Sequence, residues 1–153
     1  MPFLDILLRL GSAAIIGGAI GLNRDLHHKP SGLRTLALVG LGSALATLAV
    51  STNATDPNAF SRVIQGLITG VGFLGAGVIV HEAGTNKTRG LTTAAAIWVT
   101  ACIGAVCGIG DWALVVSATA LIGLILIVGG KIERAVHNTL EHDAKSPDDP
   151  SHV

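Results

Sequence analysis

Five stretches of nearly twenty apolar residues recur along a chain of only 153 residues, and that recurrence leaves little room for anything except membrane-spanning helices. A hydrocarbon core about 30 Å thick needs about 20 helical residues to cross it. The stretches fall at 3–22, 33–50, 63–80, 90–109 and 112–130. Half of the residues are hydrophobic and 13% are charged, too apolar a balance for a water-soluble domain. The expected fold is an all-α integral membrane protein with five transmembrane helices. Residues 1–130 form its membrane domain and residues 131–153 a short tail.

Polar breaks separate the stretches. The first, 23–32, carries Arg24, Asp25, His27, His28, Lys29 and Pro30; the second, 51–62, is rich in Ser, Thr and Asn around Asp56-Pro57. The third, 81–89, contains Glu82, Gly84, Asn86 and Lys87, and the fourth is the tight Gly108-Ile109-Gly110-Asp111 turn. Basic loops stay in the cytoplasm, so Lys and Arg near the span ends set direction. Arg24, Lys29, Arg34, Lys87, Arg89, Lys131, Arg134 and Lys145 fall on one side, and Arg62 on the other, with Arg9 inside the first span. The N-terminus is therefore expected outside and the tail in the cytoplasm, together with all six histidines. An acid at Asp5 stands where a secretory signal would be basic, so the first stretch is expected to remain as a span. The tail should begin as a helix through Ile132, Ala135, Val136 and Leu140, then end disordered in Lys145-Ser146-Pro147-Asp148-Asp149-Pro150.

Composition also says how the helices pack. Aromatics make up 3% of the chain, Tyr is absent and there are 20 Gly, which favours close approach through small side chains. Gly17 and Gly21 share a helical face with Arg24, and Gly66 with Gly70 and Gly104 with Gly108 repeat the four-residue spacing. Such spacing most simply serves helix packing. Gly32-Leu33-Arg34-Thr35-Leu36-Ala37 and Gly90-Leu91-Thr92-Thr93-Ala94-Ala95 open the second and fourth stretches as a faint internal echo, consistent with repeated hairpins or with chance. Cys102 and Cys107, five apart in one apolar run, point to different sides of a helix and read as small buried residues, not a disulfide.

Residues able to carry chemistry are few. Arg24 and Arg34 bracket the first loop near the membrane boundary, where a guanidinium either snorkels to phosphates or turns inward to carbonyls. Asp5 and Arg9 can pair on one helical face. His81 and Glu82, with His27 and His28, admit a metal site, although no ligand spacing specifies one and solvated loop residues explain them as well. No Asp, Glu or His lies deep in the last four stretches, so no intramembrane carboxylate relay is evident. A Mg²⁺ path would need carbonyls and hydroxyls such as Thr35, Ser43, Thr69, Thr92, Thr93 and Thr100. No P-loop, Ser-His-Asp arrangement or nucleophile elbow is present, which disfavours an enzyme and gives no reason to expect a cofactor. A net charge of zero gives no field for nucleic acid.

Several motifs carry a resemblance. Gly17-x-x-x-Gly21-x-x-Arg24, then Lys29-x-x-Gly32-Leu33-Arg34-Thr35 and Leu41-Gly42-Ser43-Ala44, are followed by Asp56-Pro57, Arg62 and Gln65. Gly72-Phe73-Leu74-Gly75-Ala76-Gly77 and Arg89-Gly90-Leu91-Thr92-Thr93-Ala94-Ala95-x-x-Trp98 come next. Across residues 15 to about 110 this resembles the MgtC/SapB family. The resemblance implies a multi-pass protein of the bacterial inner membrane associated with magnesium homeostasis, adaptation to low Mg²⁺ and, in pathogens, virulence. It also implies functional weight at Arg24, Arg34, Thr35, Arg62, Gln65, Arg89, Thr92, Thr93 and Trp98, with Gly72, Gly75 and Gly77 in helix packing. The sequence departs from the family in having Asn23 where an acid is frequent before the first arginine, and its tail is too short for the soluble ACT-like domain of longer members. The expected function is a noncatalytic regulator that meets a partner membrane protein or a second copy in the bilayer. The alternative is a small transporter or channel for Mg²⁺ or another ion, and a metal sensor at His81 and Glu82 ranks third.

Overall fold

A computed structural model describes residues 1–53, 56, 58–81 and 88–143. The long elements are all helices: α1 (Phe3–Leu26), α2 (Leu33–Asn53), α3 (Ala59–Val78), α4 (Leu91–Ile109) and α5 (Trp112–Asp143). All five are long and apolar enough to cross a membrane. One feature departs from an all-α expectation. Val80–His81 (β1) and Thr88–Arg89 (β2) form an antiparallel pair, Val80 opposite Arg89 and His81 opposite Thr88, at the third break.

Local chemistry sets the helix ends. Pro2, extended at φ −62°, precedes α1, whose far end gives way to a turn in which His28 and Ser31 hold positive φ and Pro30 stops any continuation of the helix. The Asp25 carboxylate crosses that turn and accepts the Leu33 amide at 2.9 Å, satisfying an orphan donor at the start of α2. α4 lies between two left-handed glycines, Gly90 (φ 93°) and Gly110 (φ 88°). The Gly110 amide donates to the Val106 carbonyl at 3.0 Å, closing the last turn. Asp111 then caps α5 by accepting the Leu114 amide at 3.0 Å.

The chain divides into two compact units, the first ending at Thr119 and the second beginning at Ala120. In the first unit α1, α2 and α4 pack against one another, and α3 lies mainly on α4 and along one edge of α2. Backbone is the packing surface. A side chain at Gly17 would meet the Leu36 carbonyl, one at Gly40 the Ala13 carbonyl at 2.7 Å, and one at Gly104 the backbone of Gly40. Gly108 seats against the Ala44 carbonyl and the Thr47 side chain. The core between these seams is Ala13, Leu36, Ala44, Ile97, Ala101 and Cys107. In lipid, where helices gain little from the hydrophobic effect, this close dispersion contact is the main attraction. The second unit is the continuation of α5, helical through Asp143. The disordered end expected from Lys145 lies outside the described residues, as do Glu82, Lys87 and Pro57.

Candidate functional site

Arg24 stands one turn beyond Gly21, whose missing side chain lets Gly32 and Leu33 come within 2.6 Å of where a Cβ would be. That approach closes the first loop over the end of α1 and buries Arg24 to 3% exposure. The guanidinium turns inward. Nε donates to the Pro30 carbonyl at 3.0 Å, Nη2 donates to the hydroxyl of Thr93, and Nη1 makes a longer contact of 3.5 Å with the Thr92 carbonyl. Thr93 is itself buried at 2%. One planar fork thus ties the end of α1, the first loop and the start of α4. No carboxylate pairs with it among the described residues.

Arg9 performs a related task at the opposite end of α1. Its Nε faces the Asp5 carboxylate at 3.1 Å, while Nη1 donates to the carbonyls of Gly108 at 3.0 Å and Ile109 at 2.5 Å. A cation there neutralises the negative end of the α4 dipole and occupies carbonyls that lack helical partners. This role was not evident from the Asp5 and Arg9 spacing, because it depends on which helix end faces α1.

Buried hydroxyls also serve the backbone. Thr47 donates to carbonyls of its own helix and approaches the Ala105 carbonyl of α4 at 3.0 Å, and Thr100 donates to Ala96 at 2.7 Å. Thr47 escaped the sequence reading, although Ser43 and Thr47 four apart in an apolar run are a signal of interhelical polar contact.

The other sequence-selected residues spread over the surface of the first unit. Arg34 and Thr35 are exposed at the mouth of an open groove of about 800 Å³ between α2 and α3, and Gly66 and Gly70 form part of its wall. Beyond α3's own backbone, no atom of the described residues lies within 4 Å of a Cβ built on Gly66, Gly70, Gly72 or Gly77, so these glycines meet no neighbouring helix among the described residues, whereas Gly75 packs on Ala94 at 3.6 Å. Trp98 and Cys102 line a separate apolar slot of about 180 Å³ between α3 and α4. Arg89 is exposed on β2. Arg62 pairs with Asp56, both exposed, and Gln65 is exposed one turn further along α3. The Asp56 carboxyl sits below its ordinary pKa because it accepts the Asn58 amide and then the Arg62 guanidinium. Thus Arg24, Thr92 and Thr93 come together, while Arg34, Arg62, Gln65, Arg89 and Trp98 do not join them. Among the described residues no group of three or more His, Cys, Asp and Glu is placed to hold a metal ion.

Comparison with known proteins extends this picture. The model of the MgtC family matches residues 10–135. The chain is similar to Protein SrpB of Synechococcus elongatus, 45% identical over 123 residues that cover 73% of this chain and 68% of that protein. It is similar to Protein MgtC of Salmonella typhimurium, 42% identical over 122 residues, covering 80% of this chain and 51% of the relative. A third relative is the Putative magnesium transporter YhiD of Escherichia coli K12, 41% identical over 134 residues, covering 81% and 60%. The chain thus spans about half of the Salmonella protein and 60% of the Escherichia one. No solved structure matches. With five helices of spanning length and a family match over most of its residues, this multi-pass membrane protein belongs to the MgtC family.

Proposed function

We propose that the protein is a noncatalytic regulator in magnesium homeostasis, seated in the bacterial inner membrane with its N-terminus outside, and that it acts through α3 on another membrane protein or a second copy. Magnesium enters from the name of the Escherichia relative, Putative magnesium transporter YhiD. Orientation rests on the concentration of Lys and Arg in the first and third loops and the tail.

The observation that carries the regulatory reading is a stripe on α3. Arg62, Gln65, Thr69, Gly72 and Ala76 succeed one another at three- and four-residue steps, share one helical face, and are all exposed. The Thr69 hydroxyl turns back to the Gln65 carbonyl at 2.9 Å, and the Gln65 side chain makes no hydrogen bond among the described residues. A carboxamide facing hydrocarbon is costly alone, and the small residues beside it let a neighbouring helix approach closely enough to satisfy it. Of the hydroxyls offered as a Mg²⁺ path, Thr93 is engaged with Arg24, and Thr69 and Thr100 with carbonyls of their own helices, which favours regulation over transport.

The test is cysteine cross-linking in native membranes. Cysteine at Gly72 should give a discrete cross-linked product, cysteine at Leu121 should not, and Gln65→Leu should weaken the product and the ability to restore growth in Mg²⁺-poor medium. Absence of any product with Gly72→Cys would remove the regulatory reading. Mg²⁺ uptake into liposomes holding the purified chain, above that of empty vesicles, would replace it with transport.

A further inference from the structure

The groove between α2 and α3 has dimensions and chemistry of its own. Arg34 and Thr35 stand at its mouth, and below them the lining is apolar except for the buried Ser43 hydroxyl. From Arg34 to Ala46 its α2 wall runs twelve residues, about 18 Å at a helical rise of about 1.5 Å. One leaflet of a hydrocarbon core about 30 Å thick is about 15 Å deep, so the groove runs from one interface to about the bilayer midplane.

The absent side chains at Gly42, Gly66 and Gly70 leave an apolar space open in which flexible acyl chains can lie. The charge at its mouth decides between occupants, because an apolar transmembrane helix offers Arg34 no counter-charge and an anionic phospholipid does. At the mouth Arg34 is exposed and, among the described residues, makes no hydrogen bond or ion pair. A guanidinium presents a donor fork matched to phosphate oxygens, with the Thr35 hydroxyl beside it.

We propose that this groove is a site for one anionic phospholipid of the leaflet on the Arg34 side, its phosphate held by Arg34 and Thr35 and its acyl chains lying between α2 and α3. The site is independent of the regulatory reading, because the Arg62-to-Ala76 stripe occupies a different face of α3.

The experiment is native mass spectrometry of the purified full chain released from micelles containing equal phosphatidylglycerol and phosphatidylcholine. The wild type should retain one lipid with about fivefold preference for phosphatidylglycerol, the size expected of one basic side chain at an anionic membrane surface. Arg34→Gln, at an exposed position that leaves folding intact, should keep a lipid but lose the preference. Gly66→Leu combined with Gly70→Leu should fill the groove and lose retention of both lipids, with helicity checked by circular dichroism. Equal retention of the two lipids by the wild type would overturn the proposal, as would a preference that survives Arg34→Gln. So would a wild-type dimer free of lipid that dissociates in the double variant, which would place a second copy in the groove.

Discussion

Arg24 and Arg34 stand ten positions apart on either side of one loop, yet one is buried among carbonyls and the other is exposed. The difference comes from their neighbours. Arg24 follows the Gly17 and Gly21 seam that draws α2 and the loop onto α1, whereas Arg34 begins a face of α2 that fronts an open groove. Hydrogen bonds from a charged donor contribute about 1.5–3 kcal/mol each, so Arg24→Ala is expected to cost about 3 kcal/mol by leaving Thr93 and Pro30 without their donor. Arg24→Lys should recover part of this, since one ammonium lacks the planar fork that serves both acceptors. Thermal unfolding in detergent measures both, and an unchanged midpoint for Arg24→Ala would mean that the buried fork is dispensable. Glycines give a second residue-scale contrast. Gly104→Ala drives a methyl into the Gly40 backbone and should destabilise by about 1–3 kcal/mol, whereas Gly77→Ala meets open space and should be neutral or slightly stabilising. Equal losses at the two positions in the same assay would contradict the packing described.

α3 begins with a turn built on Asp56, which accepts the Asn58 amide at 2.8 Å and the Arg62 guanidinium. Both contacts favour the carboxylate, so its folded pKa lies below the ordinary value. Their stabilisation is therefore complete above the ordinary carboxylate pKa and is lost as pH falls through the depressed one. Amide hydrogen exchange in the first turn of α3, corrected for the intrinsic pH dependence, should show constant protection from pH 7 to 5 and loss on further acidification. Constant protection down to pH 2 would show that the turn does not depend on this carboxylate. At this scale the sequence was informative about spans and less so about their ends. All five helices lie where apolar length placed them, because hydrocarbon thickness sets that length. α1 nevertheless continues to Leu26 through Asn23, Arg24 and Asp25, which polarity had assigned to a loop, since Arg24 finds its acceptors inside the protein. α3 starts at Ala59, four residues early, because exposed Ser61 and Arg62 are tolerated in its first turn. The β1–β2 pair left no periodicity to detect, being two residues long on each side. The four-residue glycine spacing did not distinguish Gly104 and Gly108, which pack, from Gly66 and Gly70, which meet no other helix among the described residues, because spacing shows a shared face but not its neighbour.

For the whole molecule, alternation of the helices puts the first loop and the start of α4 at one end, with Arg24 between them, and the end of α4 beside Arg9 at the other. With the proposed orientation, a membrane-impermeant maleimide should label cysteine at Asn58 in intact cells and should label cysteine at Lys29 only after the membrane is opened. The reverse pattern would invert the topology. The two arginines of α1 also act together. Arg9 and Arg24 are fifteen residues apart, and so are their α4 counterparts Gly108 and Thr93, about 22 Å in each case at a helical rise of about 1.5 Å. α1 therefore grips α4 like a calliper whose two jaws match the length they hold. A slide of α4 by a full turn would break both grips at once, so the pair is held in vertical register. In a bilayer thinner or thicker than its hydrophobic span, these helices can adjust only by leaning as a unit or by bending the lipid around them.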